Sequence, residues 1–291
     1  MNELKYESIP LNLLIKHYEP IQFKYGGYTF SDIYTPPKDK QLFGAYVLRI
    51  STGEMADQKQ LNGVSVQIRQ LAELVTMFFK YITGKCLFYE EEGADLRRHR
   101  VLVAGACPFG WSSNFEKVSW SLETNSIHMG AILIPQKPFS RVLLSPLYEL
   151  HIMLGQYARL DPSIRYLMHL NYEADLASNM IRNMAYGKVL EIIDAIHPLP
   201  RKKGKKDNRI EEYYDGMQEL FKDLTISNLM DMANHRADTR HYVAAKGDVK
   251  AHAFLTYEEL GKYGPLIDNL AINEVRKQFD FPFILFDMKD S

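Results

Sequence analysis

Leu144-Ser145-Pro146-Leu147-Tyr148-Glu149-Leu150 is where the chain changes character. Serine then proline is a helix start. The serine can hold a free N–H of the first turn, and proline at the first helical position lacks only a donor that would have no partner there. Leu147, Leu150, His151, Leu154, Tyr157 and Ala158 follow at helical spacing. Asp161-Pro162 repeats the signal before Ile164, Leu167, Met168 and Leu170. A further helix is predicted from about Glu173 to Ile196, stopped by Pro198 and Pro200. After it, Ile210, Tyr213, Tyr214, Met217, Leu220, Phe221 and Leu224 fall at i, i+3, i+4, i+7, i+10, i+11 and i+14, the clearest helical pattern in the chain. Asn208-x-x-Glu211 resembles a capping box ahead of it. Ile226, Leu229, Met230 and Ala233 extend the pattern past a bend near Thr225, and Gly247-Asp248 breaks it. Thr256-x-x-Glu259 caps a last helical region with Leu266, Ile267, Leu270, Val275 and Phe279, interrupted at Gly264-Pro265. Phe281 to Phe286 is short and apolar, a docking tail or a terminal strand.

Upstream of Leu144 the pattern is one of strands and turns. Ile21 to Tyr25 alternates, Gly26-Gly27 turns, and Tyr28-Thr29-Phe30 resumes, which predicts a hairpin. Phe43 to Ile50 is a further strand. Val66, Ile68, Leu71, Leu74, Val75, Met77, Phe78 and Ile82 recur at helical spacing and predict one helix over Val64 to Tyr81. Glu90 to Glu92 and Arg97-Arg98-His99-Arg100 read as charged surface loop. Val101 to Gly110, with Cys107 before a proline, reads as a buried strand and tight turn rather than a nucleophile site. Val118 to Leu122 and Ile127 to Ile134 predict a second hairpin. The expected architecture is therefore an α+β domain over 1–143 followed by an all-α helical bundle over 144–291.

Hydrophobic residues make up 46% of the 291 and charged residues 24%, an ordinary globular balance. The net charge of −1 gives no global basic field, so any nucleic-acid contact must come from local patches. Two cysteines, Cys86 and Cys107, supply neither a disulfide framework nor a zinc set, which fits a reducing cytoplasm. The charged N-terminus lacks a signal-peptide core, and no apolar run approaches the roughly 18 residues that would span a bilayer. No cofactor is called for. One local patch stands out. Arg201, Lys202, Lys203, Lys205, Lys206 and Arg209 place six cations in nine residues, as a solvated connector or as a contact to an RNA or DNA backbone.

The densest chemistry lies in Asn234-His235-Arg236-Ala237-Asp238-Thr239-Arg240-His241-Tyr242. Arg236 offers a fixed cation with a planar fork of donors, suited to phosphate, and His241 a group that exchanges protons near neutral pH. Together they can support metal-free cleavage of RNA, the imidazole moving a proton and the guanidinium neutralising charge on phosphorus oxygens. On one continuous helix they stand about 140° and about 7.5 Å apart. The helix must therefore end or bend, or a second copy of the chain must supply partner groups. Asn234, Asp238 and His241 share one helical face, and Arg236 and Arg240 another.

Arg236-x4-His241-Tyr242, set between amphipathic helices, resembles the HEPN superfamily over about residues 144–280. The resemblance implies a helical bundle that dimerises, in which Arg236 and His241 are a catalytic pair of a metal-independent endoribonuclease, with Arg240, Asp238 and Asn234 assisting. It also suggests a role in bacterial defence. Ala237 stands where the family usually carries a polar residue, and a second reading rests on it: a non-catalytic HEPN-like module for dimerisation or partner binding. A third reading, a metal site of His235, Asp238 and His241, spreads its ligands over about 120° and about 9 Å of helix.

Overall fold

Two glycines make the first turn of the N-terminal half. In a computed structural model of the chain, Gly26 and Gly27 both take positive φ, 56° and 85°, as a two-residue hairpin turn matched to strand twist requires. The residues described are 3–8, 11–40, 42, 44–51, 58–84, 99–104, 142–177, 179–199, 206–222, 224–230, 232 and 257–285. The chain divides into two compact units, Met1–Ala158 and Arg159–Ser291.

The first unit carries strands β1 (Glu3–Ser8), β2 (Leu11–Ile15), β3 (Gln22–Tyr25), β4 (Tyr28–Thr35), β5 (Gly44–Ser51), β6 (His99–Ala104) and β7 (Val142–Leu143), with helices α1 (Gln58–Thr83) and α2 (Pro146–Gln156). The sheet runs β3-β4-β5-β1-β6, and β2 joins β5 to β7. Strand β5 is the shared rail: β4 pairs along one edge, while β2 takes Gly44 to Tyr46 and β1 takes Arg49 to Ser51 on the other. Inward residues alternate, Phe30 and Asp32 on β4 and Tyr46, Leu48 and Ile50 on β5, all buried. The described part of α1 lays Val75, Phe78, Phe79 and Ile82 into this core. Helix α2 joins it through His151, stacked 4.5 Å from Phe23, which itself stacks 4.8 Å from Phe30.

The break between units thus falls one helix later than the change of sequence character at Leu144. Helix α2 looks like the rest of the helical half in sequence, but Leu147, Leu150 and Leu154 are buried in the first unit. Its start lies where Ser145-Pro146 puts it, yet the serine hydroxyl makes no capping bond and proline alone marks the start. The basic run ends inside β6, which begins at His99, rather than in a loop. Cys86, Cys107, Glu90 to Glu92, Arg97-Arg98 and the hairpin expected over Val118 to Ile134 lie outside the described residues.

The second unit carries α3 (Pro162–Leu176), α4 (Asn179–Ile196), α5 (Arg209–Tyr213), α6 (Gln218–Phe221) and α7 (Tyr257–Lys277), with residues 226–230 also helical. Its described residues contain no strand. The whole is therefore an α+β protein. Asp161 caps α3 as expected, its carboxylate accepting from Ser163 N at 2.7 Å. Three expectations are corrected. The boundary between the two helices foreseen over residues 162–196 falls at Ala177 and not near Glu173, because α3 runs on to Leu176 before α4 begins at Asn179. Helix α7 passes through Pro265 without stopping; proline there gives up one backbone bond, and the buried Leu266, Ile267, Leu270 and Ala271 outweigh the loss. The long pattern from Ile210 is broken, with Gly216 at φ 89° and Lys222 at φ 41° between short helical turns. Among the described residues no helix is long and apolar enough to cross a membrane.

Burial raises the Asp32 carboxyl above its ordinary value although Tyr18 donates to Oδ1 at 3.2 Å. The folded state therefore prefers the neutral acid. Its contribution to stability is full below the ordinary carboxylate range and is lost as pH rises through the folded-state value. Asp32→Asn keeps an acceptor for Tyr18 and stays neutral. Its melting temperature should equal or exceed wild type near pH 7, with the advantage gone by about pH 3. Thermal melts at the two pH values check this, and a large loss near pH 7 contradicts it.

Candidate functional site

Helix α7 carries an acid on its apolar stripe. Ile267, Leu270, Ala271 and Glu274 follow at i, i+3, i+4 and i+7, and all four are buried, Glu274 completely. A lone carboxylate there would be forced neutral. Three donors meet it instead. His197, just past the end of α4, places Nε2 at 2.8 Å from Oε2, the Tyr214 hydroxyl donates to the same oxygen at 2.7 Å, and Gln278 Nε2 donates to Oε1 at 2.9 Å. Burial pushes the Glu274 pKa up, but the bonds from His197 and Tyr214 overcome it and leave the group below its ordinary value. The same burial, with the carboxylate beside it, pushes the Tyr214 hydroxyl well up.

The His197 ring is fixed on its other sides as well. Tyr213 stacks on it at 4.0 Å, Tyr214 meets it edge-on at 6.1 Å, and Lys277 Nζ lies 4.8 Å above the Tyr213 ring. An imidazole with one nitrogen on a carboxylate and its plane clamped between aromatics is oriented for proton exchange through the other nitrogen.

A second polar knot shares His197. Arg209 is 2% exposed, and its guanidinium reaches Asp207 through Nε and Nη2 at 2.9 Å each, the carboxylate of Asp194 and Ser227 Oγ through Nη1 and Nη2, and the His197 carbonyl at 3.1 Å. Asp207 also accepts from Ser227 N and Oγ at 2.9 and 2.8 Å. Burial works against the Asp207 carboxylate, yet these bonds hold it far below the usual range, and the two carboxylates raise Arg209. Asn208 makes no capping bond; Asp207 accepts from Arg209 N instead.

This corrects the expectation for Arg209. It is not a cation held out for phosphate but a buried brace. Lys206 is exposed, as binding to a phosphate backbone needs. Arg201, Lys202, Lys203 and Lys205 lie outside the described residues, as do Asn234, His235, Arg236, Ala237, Asp238, Arg240 and His241. Among the described residues, no group of three or more His, Cys, Asp and Glu is placed to hold a metal ion. His197, Tyr214 and Glu274 were not singled out in the sequence. The signal for Glu274 was present, an acid at i+7 on an apolar stripe. The signal for Tyr214 pointed the wrong way, since it counted as one more apolar position. Comparisons with protein-family models, with curated proteins and with solved structures find no match to this chain.

Removing one member of a buried charge network leaves the others unpaired, at about 3 kcal/mol or more. Arg209→Ala should therefore unfold the second unit at distinctly lower denaturant than wild type, and Arg209→Ala/Asp207→Ala should lose less than the sum of the two single changes. Because the folded Asp207 value is depressed, its stabilising contribution is present above the ordinary carboxylate range and fades as pH falls through and below it. Asp207→Asn should thus be less stable than wild type near pH 7, with the gap closing toward about pH 2. Urea titrations across pH check both; a constant gap rejects the assignment.

Proposed function

We propose that this chain is a metal-independent endoribonuclease whose second half is a HEPN-like all-α bundle. The observation that carries the reading is placement. The Arg236-x4-His241 stretch lies in the chain between helical residues 226–230 and α7, in a unit whose described residues are helices and turns. In this reading RNA is cut by attack of the 2′-hydroxyl on the adjacent phosphorus in a cleft lined by two copies of the chain. Arg236 holds the phosphate, His241 transfers a proton, and Arg240, Asp238 and Asn234 orient them. Arg201, Lys202, Lys203, Lys205 and Lys206 draw in the RNA backbone, and Arg209 braces the base of that run. A cytoplasmic homodimer acting in bacterial defence fits the reading. Ala237 favours a second one, in which the same bundle dimerises or binds a partner without cleaving RNA.

Labelled RNA incubated with the protein in chelator separates the two. Cleavage should appear with wild type and fall about 100-fold or more in both Arg236→Ala and His241→Ala. No cleavage by a folded dimer gives the binding module, and activity only on adding a divalent cation returns the site to His235, Asp238 and His241. Charge-neutral replacement of Lys202, Lys203 and Lys205 should weaken RNA binding and flatten its dependence on log salt by about 0.7 for each phosphate no longer neutralised. An unchanged slope in a filter-binding series removes the basic run from the interface.

A further inference from the structure

Past the end of α7 the chain turns back on itself. Phe281 N donates to Arg276 O at 3.1 Å and Asp280 N to Lys277 O at 3.2 Å, the paired bonds that close a helix on a left-handed residue. That residue is Asp280, at φ 56°, where glycine is the usual occupant. Residues 281–285 then run back along α7 toward its start, Pro282 against Arg276 and Ile284 against Asn273 and Asn269. Those three side chains stand at i, i+4 and i+7 on one helical face, and all are buried. The hydrogen bonds they give residues 282 and 284 go to main chain alone. Asn273 Oδ1 accepts from Ile284 N at 2.7 Å while its Nδ2 donates to Ile284 O at 2.8 Å. Asn269 Nδ2 donates to the same oxygen at 3.0 Å, and Arg276 Nε to Pro282 O at 2.7 Å.

This is the construction of a peptide groove: main-chain bonds hold an extended segment, and side-chain contacts choose it. The choosing contacts are Phe281 over the Arg276 guanidinium at 5.1 Å and beside Phe279 at 5.6 Å, and Phe283 on Tyr214 at 6.2 Å. The floor of the groove is polar. Leucines there would bind the segment but would meet water as apolar surface whenever it left. Amides that lose the segment exchange it for water, so the groove tolerates standing open. The segment is correspondingly lightly held, with Pro282 and Leu285 exposed and Phe283 and Ile284 half-buried. The hinge acts in the same direction. Closing the turn holds a non-glycine residue at positive φ; opening it returns Asp280 to ordinary backbone, and Pro282 keeps the helix from running much further.

We propose that residues 281–285 exchange between two copies of this chain, each copy's segment docking on the Asn269, Asn273 and Arg276 face of the other. The occupant is a second copy because the segment that fits the groove is this chain's own, seated there already. Exchange keeps each of those contacts and changes only which chain supplies it. Both copies relax their Asp280 hinge, and the two exchanged segments are related by a twofold axis, so assembly closes at two. Exchange requires nothing of the nuclease reading, and RNA cleavage is not its readout.

Two full-length variants, each with one lesion, test it when mixed. Ile284→Pro spoils the segment, since proline has no N–H for Asn273, and leaves the groove intact. Asn273→Ala spoils the groove and leaves the segment intact. The mixed pair can make one undamaged contact, and only between chains. With one variant dye-labelled, sedimentation should show the mixed pair associating about 10-fold or more tightly than either variant with itself. Where Asn273→Ala fails to fold, Asn269→Ala takes its place. In the otherwise wild-type chain, Asp280→Gly removes the cost of positive φ from the closed form, so its dimerisation constant should be about 10-fold weaker than wild type. Mixed association no tighter than self-association overturns the exchange, even in a chain that dimerises through another surface. Wild type and Asp280→Gly dimerising with equal strength also overturns it.

Discussion

A carboxylate sealed in a protein interior must be surrounded by donors or give up its charge. Glu274 keeps its charge, and much of the second unit is arranged to let it. Its donors come from three places in the chain: just past the end of α4, the turn after α5, and the turn just past α7. To bring Tyr214 to that oxygen the backbone leaves the helix at Tyr213 and turns through Asp215 and Gly216, where a positive φ of 89° suits glycine. The helical periodicity of residues 210–224 does not carry through: the helix ends where the Tyr214 hydroxyl reaches Glu274, and a second break follows at Lys222.

The same helix ties down the end of the described chain. Asn273 reads the Ile284 backbone twice, N to Oδ1 at 2.7 Å and Nδ2 to O at 2.8 Å, Asn269 adds a bond to the same carbonyl, and Arg276 Nε holds the Pro282 carbonyl. The short apolar segment is thus a docking tail and not a strand. A stripe of α7 polar groups fixes backbone that would otherwise lack regular partners. The Arg209 knot does the equivalent for residues 207 and 227.

Restart of the helix at 226 shows a smaller version of the same logic. Thr225 Oγ1 accepts from Asn228 N and Asn228 Oδ1 accepts from Thr225 N, both at 3.1 Å, a reciprocal cap. The sequence pattern put a bend near Thr225; the structure instead has a break, with the helix starting afresh at 226 behind this cap. In the first unit the legible features were equally local: the Gly26-Gly27 turn, the alternation of β4 and β5, and the apolar repeat of α1.

Sequence by itself determined the elements whose reasons are local. Proline starts at 146 and 162, paired glycines at 26–27, and period-2 and period-3.6 patterns each depend on neighbours a few residues away, so they survive without knowledge of the fold. It also displayed the Arg236-x4-His241 chemistry and the basic run. Tertiary structure decided what depends on partners distant in the chain: that α2 belongs with the sheet, that Arg209 is a brace and not a phosphate ligand, and that His197, Tyr214 and Glu274 form one cluster. Those residues are separated by up to 77 positions. The free energy of a buried charge is set by whatever surrounds it in space, and no local pattern carries that information.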